Sequence, residues 1–114
     1  MDAFEVTLLF DTYGGMLTEK QREYLDMRYN QDMSLAEIAE ELGVSRQGVH
    51  ENILRAEAHL QKMEEKTGCV RRYLQSRKAK QTILSCAEKL RNHPDPAVRA
   101  EAEALIAAAG AIEE

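Results

Sequence analysis

Phe4, Leu8, Leu9 and Tyr13 recur at helical spacing, so residues 2–13 are predicted to form a short helix that stops at Gly14-Gly15. Val6 and Phe10 widen its apolar face, and a helix apolar over so much of its circumference should be covered on two sides, by its own domain or by a second chain. Thr18 and Gln21 then form a T-x-x-Q capping box that opens a helix over about 19–29, with Tyr24, Leu25 and Tyr29 on its buried side. Asn30, Gln31 and Asp32 break it. Ser34 and Glu37 repeat the box as S-x-x-E, with Met33 and Ile38 placed to close a hydrophobic staple, and the new helix ends at Leu42 because Gly43 can adopt the left-handed conformation.

Ser45 caps a longer helix, along which Val49, Ile53, Ala56, Leu60 and Met63 form a stripe that lasts to Gly68. About half of that stripe can pack on the shorter helices, leaving the rest for another partner. Val70, Tyr73, Leu74, Ile83, Leu84, Ala87 and Leu90 mark a further amphipathic helix whose pattern is interrupted by Arg77, Lys78 and Lys80. After a break at 92–94, Asp95 and Pro96 open a last helix expected to bury Val98, Ala102, Leu105, Ile106 and Ala109. The expectation is an all-α chain of six helices with no strand. Residues 1–68 would form a domain, and residues 69–114 a helical extension packed on that domain or on a partner chain.

The length of 114 residues has room for one core, and 44% apolar with 31% charged residues suits a globular protein. The first residues lack a basic leading segment and are interrupted by Glu5 and Asp11, so neither a secretory signal nor membrane insertion is expected, and the location should be cytoplasmic. Cys69 and Cys86 stand without metal-ligand spacing and suit reduced thiols. The net charge of -5 is unevenly distributed: residues 69–93 carry seven Lys and Arg against one Glu, a local +6, whereas residues 18–68 carry seven against eleven carboxylates.

Within residues 34–60, SLAEIAEELGVSRQGVHENILRAEAHL, Ala39 and Gly43 stand where a helix-turn-helix requires a small residue and a left-handed turn. Ile38, Leu42, Val44, Val49 and Ile53 supply the apolar contact shared by its two helices. The spacing from Val49 to Leu60, following S-L-A-E-I-A and G-V-S, resembles the fourth region of bacterial sigma factors, where such a helix reads a promoter element. The longer run from Leu17 to Gly68, with Phe10, Asp11 and Tyr13 ahead of it, resembles the YlxM family of small bacterial proteins, also called UPF0122. That resemblance implies a helix-turn-helix domain of the sigma factor region 4 type with an extra N-terminal helix and a C-terminal helical extension. It also implies a link, through gene neighbourhood, to the signal recognition particle and its receptor.

If the second helix of the motif lies in a major groove, Ser45, Arg46, Gln47, His50 and Glu51 face base edges and Arg55 lies nearer the backbone, with Arg46 suited to guanine and Gln47 to adenine. The same residues would equally serve as a solvated helix face. Lys20, Arg22 and Arg28 could add phosphate contacts, and Arg71, Arg72, Arg77, Lys78 and Lys80 form a second basic surface that could instead balance acidic neighbours. Duplex binding draws strength from phosphate neutralisation, yet Glu40, Glu41, Glu51 and Glu57 flank the reading face and would repel phosphates. A dimer could compensate, and the partner could equally be structured RNA or a protein.

His50-Glu51 lacks the second His of a zinc-protease motif, and no phosphate loop, nucleophile elbow or dinucleotide fingerprint occurs, so neither catalysis, nor metal, nor any cofactor is expected. Three readings follow. The first is a non-catalytic nucleic-acid-binding or accessory regulatory protein associated with signal recognition particle components. The second is a homodimeric transcription regulator of duplex DNA, and the third a protein-binding helical adaptor. A homodimer is expected from the apolar surface of Phe4, Val6, Leu8, Leu9 and Phe10, together with Leu54 and the far half of the long helix.

Overall fold

The structure, a computed structural model, describes residues 2–112; Met1 of the first predicted segment and Glu113 and Glu114 of the second lie outside the described residues. All regular structure among the described residues is helical: α1 (Ala3–Tyr13), α2 (Glu19–Leu25), α3 (Leu35–Leu42), α4 (Arg46–Thr67), α5 (Cys69–Leu90) and α6 (Pro96–Gly110). Two short stretches of other helical type follow α1 and α2, a 3₁₀ turn at Gly14–Met16 and a π-helical turn at Asp26–Asn30. The chain divides into two compact units after Val70.

In the first unit α4 is the central element, packed against α1, α2 and α3. Asp2 caps α1, its carboxylate accepting the Glu5 N–H at 2.8 Å. The helix stops at Gly14, as the sequence suggests, and Gly14 stays right-handed as the chain passes into the 3₁₀ turn. Its lack of a side chain is needed for space, since a Cβ there would stand 2.6 Å from the Phe10 ring.

The capping box of α2 is reciprocal, Gln21 N–H to Thr18 Oγ1 and Thr18 N–H to Gln21 Oε1, both at 3.1 Å. The predicted single α-helix over 19–29 is corrected, because α2 ends at Leu25 and the chain widens into the π turn. The cause lies in the side chains that the sequence reading assigned to a polar break. Asn30 Nδ2 and Gln31 Nε2 donate to the Asp26 carboxylate at 2.8 and 2.7 Å, and the Gln31 N–H reaches the Asp26 carbonyl five residues back at 3.0 Å. Tyr24 and Leu25 are buried, while Tyr29 is half-buried and donates its hydroxyl to Glu57 on α4. Burial first, and then the Glu57 carboxylate, push the Tyr29 phenol up to about 12.

The second box, on α3, has the same form, with Glu37 N–H to Ser34 Oγ and Ser34 N–H to Glu37 Oε1, each at 3.1 Å. The Ser34 backbone N–H, and then its hydroxyl, hold the Glu37 carboxyl below the usual carboxylate range. The amides of Asn30 and Gln31 do the same for Asp26. Both groups are depressed in the folded state, so their stabilisation is present above the unfolded carboxylate value and is lost as pH falls through the folded one. Thermal melts of the Glu37→Gln and Asp26→Asn variants should therefore approach the parent's between about pH 4 and pH 2. A stability difference unchanged by acid would contradict the assignment.

Gly43 ends α3 at φ 65°, ψ 36°. The Val44 N–H returns to the Ala39 carbonyl at 3.0 Å and the Gly43 N–H to Glu40 at 3.4 Å, which is the Schellman arrangement. A Cβ at Gly43 would meet nothing within 4 Å, so substitution costs backbone strain alone. Gly43→Ala is expected to lose about 1 kcal/mol in urea unfolding, and Gly43→Val more, because β-branching narrows the backbone further.

On α4, Val49, Ile53, Ala56 and Leu60 are buried and Met63 is half-buried. The stripe thus finds cover well past its midpoint within the chain, a correction to the expectation that its far half awaits another partner. The first helix supplies that cover: the Tyr13 hydroxyl donates to Glu64 Oε1 at 2.6 Å and also bonds Thr67. Glu64 Oε1 further accepts the Val70 N–H at 3.0 Å, tying the start of α5 to the end of α4.

In the second unit α5 runs unbroken through Arg77, Lys78 and Lys80. Asp95 caps α6 through the Ala97 N–H at 2.9 Å, and Arg91 Nε meets Glu103 Oε1 at 3.0 Å. Ala87, Ala102 and Ala109 are buried here, whereas Val98 and Ile106 are half-buried and Leu105 is exposed. The predicted core of α6 is corrected accordingly, because a helix with a single neighbouring helix in its unit buries a narrow strip of small residues and not the full apolar face.

Candidate nucleic-acid interface

The Schellman turn at Gly43 and the Ser45 cap decide how α4 leaves α3. Ser45 Oγ accepts the Gly48 N–H at 3.0 Å, so that oxygen is committed to the helix start. Arg46, Gln47, His50, Glu51 and Arg55 are all exposed on the first turns of α4. Arg46, Gln47 and His50 come together with Leu35 around one open depression, whereas Glu51 and Arg55 lie outside its lining. Glu51 nonetheless touches it indirectly, since Gln47 Nε2 donates to Glu51 Oε1 at 3.4 Å. Leu35, half-buried as the first residue of α3, is the member that the sequence reading did not single out. Its spacing of three from Ile38 reads as core, and only the crossing of the two helices brings it beside α4.

Charge on the motif is segregated. Glu37, Glu40 and Glu41 line a different depression with Met33, and among the described residues no carboxylate lines the one formed by Leu35, Arg46, Gln47 and His50. The repulsion expected from Glu40 and Glu41 is thereby displaced from the surface that carries Arg46, though not removed over a Debye length of roughly 8 Å, and Glu51, bonded to Gln47, stays beside that surface.

The bases of α2 and of the π turn are placed less favourably for an anionic backbone. Arg28 Nη1 donates to the Met33 carbonyl at 3.0 Å and its guanidinium lies 6.0 Å from the Tyr29 ring centroid, so it holds the π turn together. Arg22 borders a depression shared with Phe10, Glu19, Glu23 and Asp26, and Lys20 is exposed. Of the basic residues on α5, Arg71, Arg72, Arg77 and Lys78 are exposed, and half-buried Lys80 donates to the Ile112 carbonyl at 3.5 Å. Large apolar side chains also stand in solvent, with Phe4 61%, Met16 69% and Leu54 49% exposed, whereas Val6 and Leu9 of the predicted dimer face are buried and Leu8 and Phe10 are half-buried. No helix among the described residues is long and apolar enough to cross a membrane.

Comparison with known proteins agrees with this geometry. The model of the UPF0122 family, described as "Putative helix-turn-helix protein, YlxM / p13 like", matches residues 2–95. A UPF0122 protein of Acetivibrio thermocellus is 51% identical over 81 residues, covering 71% of this chain and 69% of the relative. One from Thermoanaerobacter sp. is 51% identical over 72 residues, covering 63% and 62%, and one from Caldanaerobacter subterraneus is 46% identical over 85 residues, covering 75% and 73%. Aligned regions thus span about two thirds of these relatives' lengths, from 62% to 73%. Since the family model covers the motif together with α1 to α5, the chain belongs to the UPF0122 family of helix-turn-helix proteins.

Proposed function

We propose that this protein is a non-catalytic, nucleic-acid-binding regulator that engages its target through the first turns of α4. The observation that carries this reading is the exposed trio Arg46, Gln47 and His50, gathered around one depression from which the carboxylates of α3 are absent. Arg46 supplies a bidentate cation and Gln47 a paired donor and acceptor, the two side-chain types suited to guanine and adenine edges. The protein acts in the cytoplasm, with residues 69–114 as a helical extension to the motif. Its association with the signal recognition particle pathway rests on the family resemblance alone.

The direct test is fluorescence anisotropy of the full chain with a random-sequence duplex DNA pool, at low and near-physiological salt, beside Arg46→Ala. Salt-sensitive binding that falls with Arg46 supports the reading. Absence of binding at both salts contradicts duplex recognition and directs the search to the RNA and proteins of the signal recognition particle, and binding that survives Arg46→Ala indicates an adaptor. The exposed Phe4, Met16 and Leu54 favour, in addition, a homodimer, which would offer two motifs and twice the basic surface. Sedimentation at micromolar concentration should show a dimer, and a monomer throughout would exclude self-association as the source of affinity.

A further inference from the structure

Leu35 is the member of the depression that hydrogen bonding to base edges leaves unused. It lines an open surface whose other members, Arg46, Gln47 and His50, are polar and exposed. A nucleic acid presents few apolar groups to such a surface, and the one on a base edge in the major groove is the C5-methyl of thymine. Uracil lacks that methyl, and the deep, narrow major groove of A-form RNA is closed to side chains. Gln47 fits the same base pair. One N–H of its amide is directed to Glu51 Oε1 at 3.4 Å, leaving the second N–H and the carbonyl oxygen for adenine N7 and N6. An A·T pair displays the methyl and the adenine edge together.

We infer that this surface selects thymine-containing duplex DNA over RNA, with Leu35 against a thymine methyl and the Gln47 amide on an adenine edge. The inference rests on the proposed function, since it assigns the ligand of that same site. Leu35 is a specificity-determining residue in this arrangement, and Arg46 a source of affinity.

The experiment uses the full chain and a duplex recovered by selection from a random DNA pool, remade with deoxyuridine replacing thymidine at one position at a time. Loss of a contacted methyl should weaken binding by about fourfold, the factor that corresponds to one buried methyl group. Leu35→Ala should bind the thymine and uracil duplexes equally, Leu35→Met should keep the discrimination, and an RNA duplex of the same sequence should bind more weakly than either. If Leu35→Ala fails to fold, the wild-type methyl scan decides alone. Equal affinity across the scan, or an RNA duplex bound as tightly as DNA, overturns the inference while leaving the proposed function standing. Failure to recover any DNA removes the inference together with duplex DNA recognition by this surface.

Discussion

Arg46→Ala should weaken duplex binding by about 1–3 kcal/mol, roughly fivefold to 150-fold, with the thermal unfolding of the protein almost unchanged. The two effects separate because Arg46 is exposed at the start of α4 and has no place in the core. The helix start itself is secured by Ser45 Oγ and the Gly48 N–H, neither of which the substitution touches. If Arg46 contacts a phosphate, the loss should be similar on all sequences and the salt slope should decrease by about one. If it contacts a guanine, the loss should be confined to selected duplexes. Competition binding against selected and scrambled duplexes distinguishes these. Equal binding by parent and variant on both would detach the motif from nucleic-acid recognition.

Leu60→Ala is expected to have the largest effect on stability. Leu60 is fully buried on α4, the helix against which α1, α2 and α3 all pack, and its truncation leaves a cavity that the surrounding helices can only partly close. Such substitutions cost about 2–5 kcal/mol, a large part of the roughly 5–15 kcal/mol that typically separates a folded domain from its unfolded chain. Urea unfolding should show the midpoint falling with little change in slope, and nucleic-acid binding should fall in proportion to the unfolded fraction. A loss below about 1 kcal/mol would mean that α4 is not the central helix of the core.

Helices whose ends are marked by local chemistry were legible in the sequence. The boxes at Thr18–Gln21 and Ser34–Glu37, the Ser45 and Asp95 caps and the left-handed Gly43 each act through groups a few residues apart, and the structure holds the corresponding hydrogen bonds. The π turn was not legible, because Asn30, Gln31 and Asp32 have the composition of an ordinary break. Where the helix widens, Asn30 and Gln31 both reach one carboxylate, that of Asp26, a convergence their composition does not announce. Leu35 was missed for a related reason. Its spacing assigns it to a core, and its place beside Arg46 and His50 depends on the angle at which two helices cross, which no local pattern encodes. The burial of α6 was overread because periodicity identifies an apolar face without saying how many neighbours it has; Leu105 is exposed while Ala102 and Ala109 are buried.

Acidity remains the feature that most shapes the expected behaviour. A chain of net charge -5 gains little from long-range attraction to a polyanion, so its binding should depend on few, short-range contacts, with a salt slope set by the small number of phosphates they neutralise. The separation of Glu37, Glu40 and Glu41 from the depression containing Arg46 permits such contacts without requiring them.

On the proposed function, the target binds at the start of α4, against Leu35 of α3. Amide chemical-shift mapping of the labelled full chain, titrated with a duplex recovered from the random pool, tests it most directly. The largest shifts should fall at Leu35 and residues 45–51. Shifts confined to residues 71–80 of α5 would contradict the claim, leaving the helix-turn-helix as a scaffold for a different binding surface.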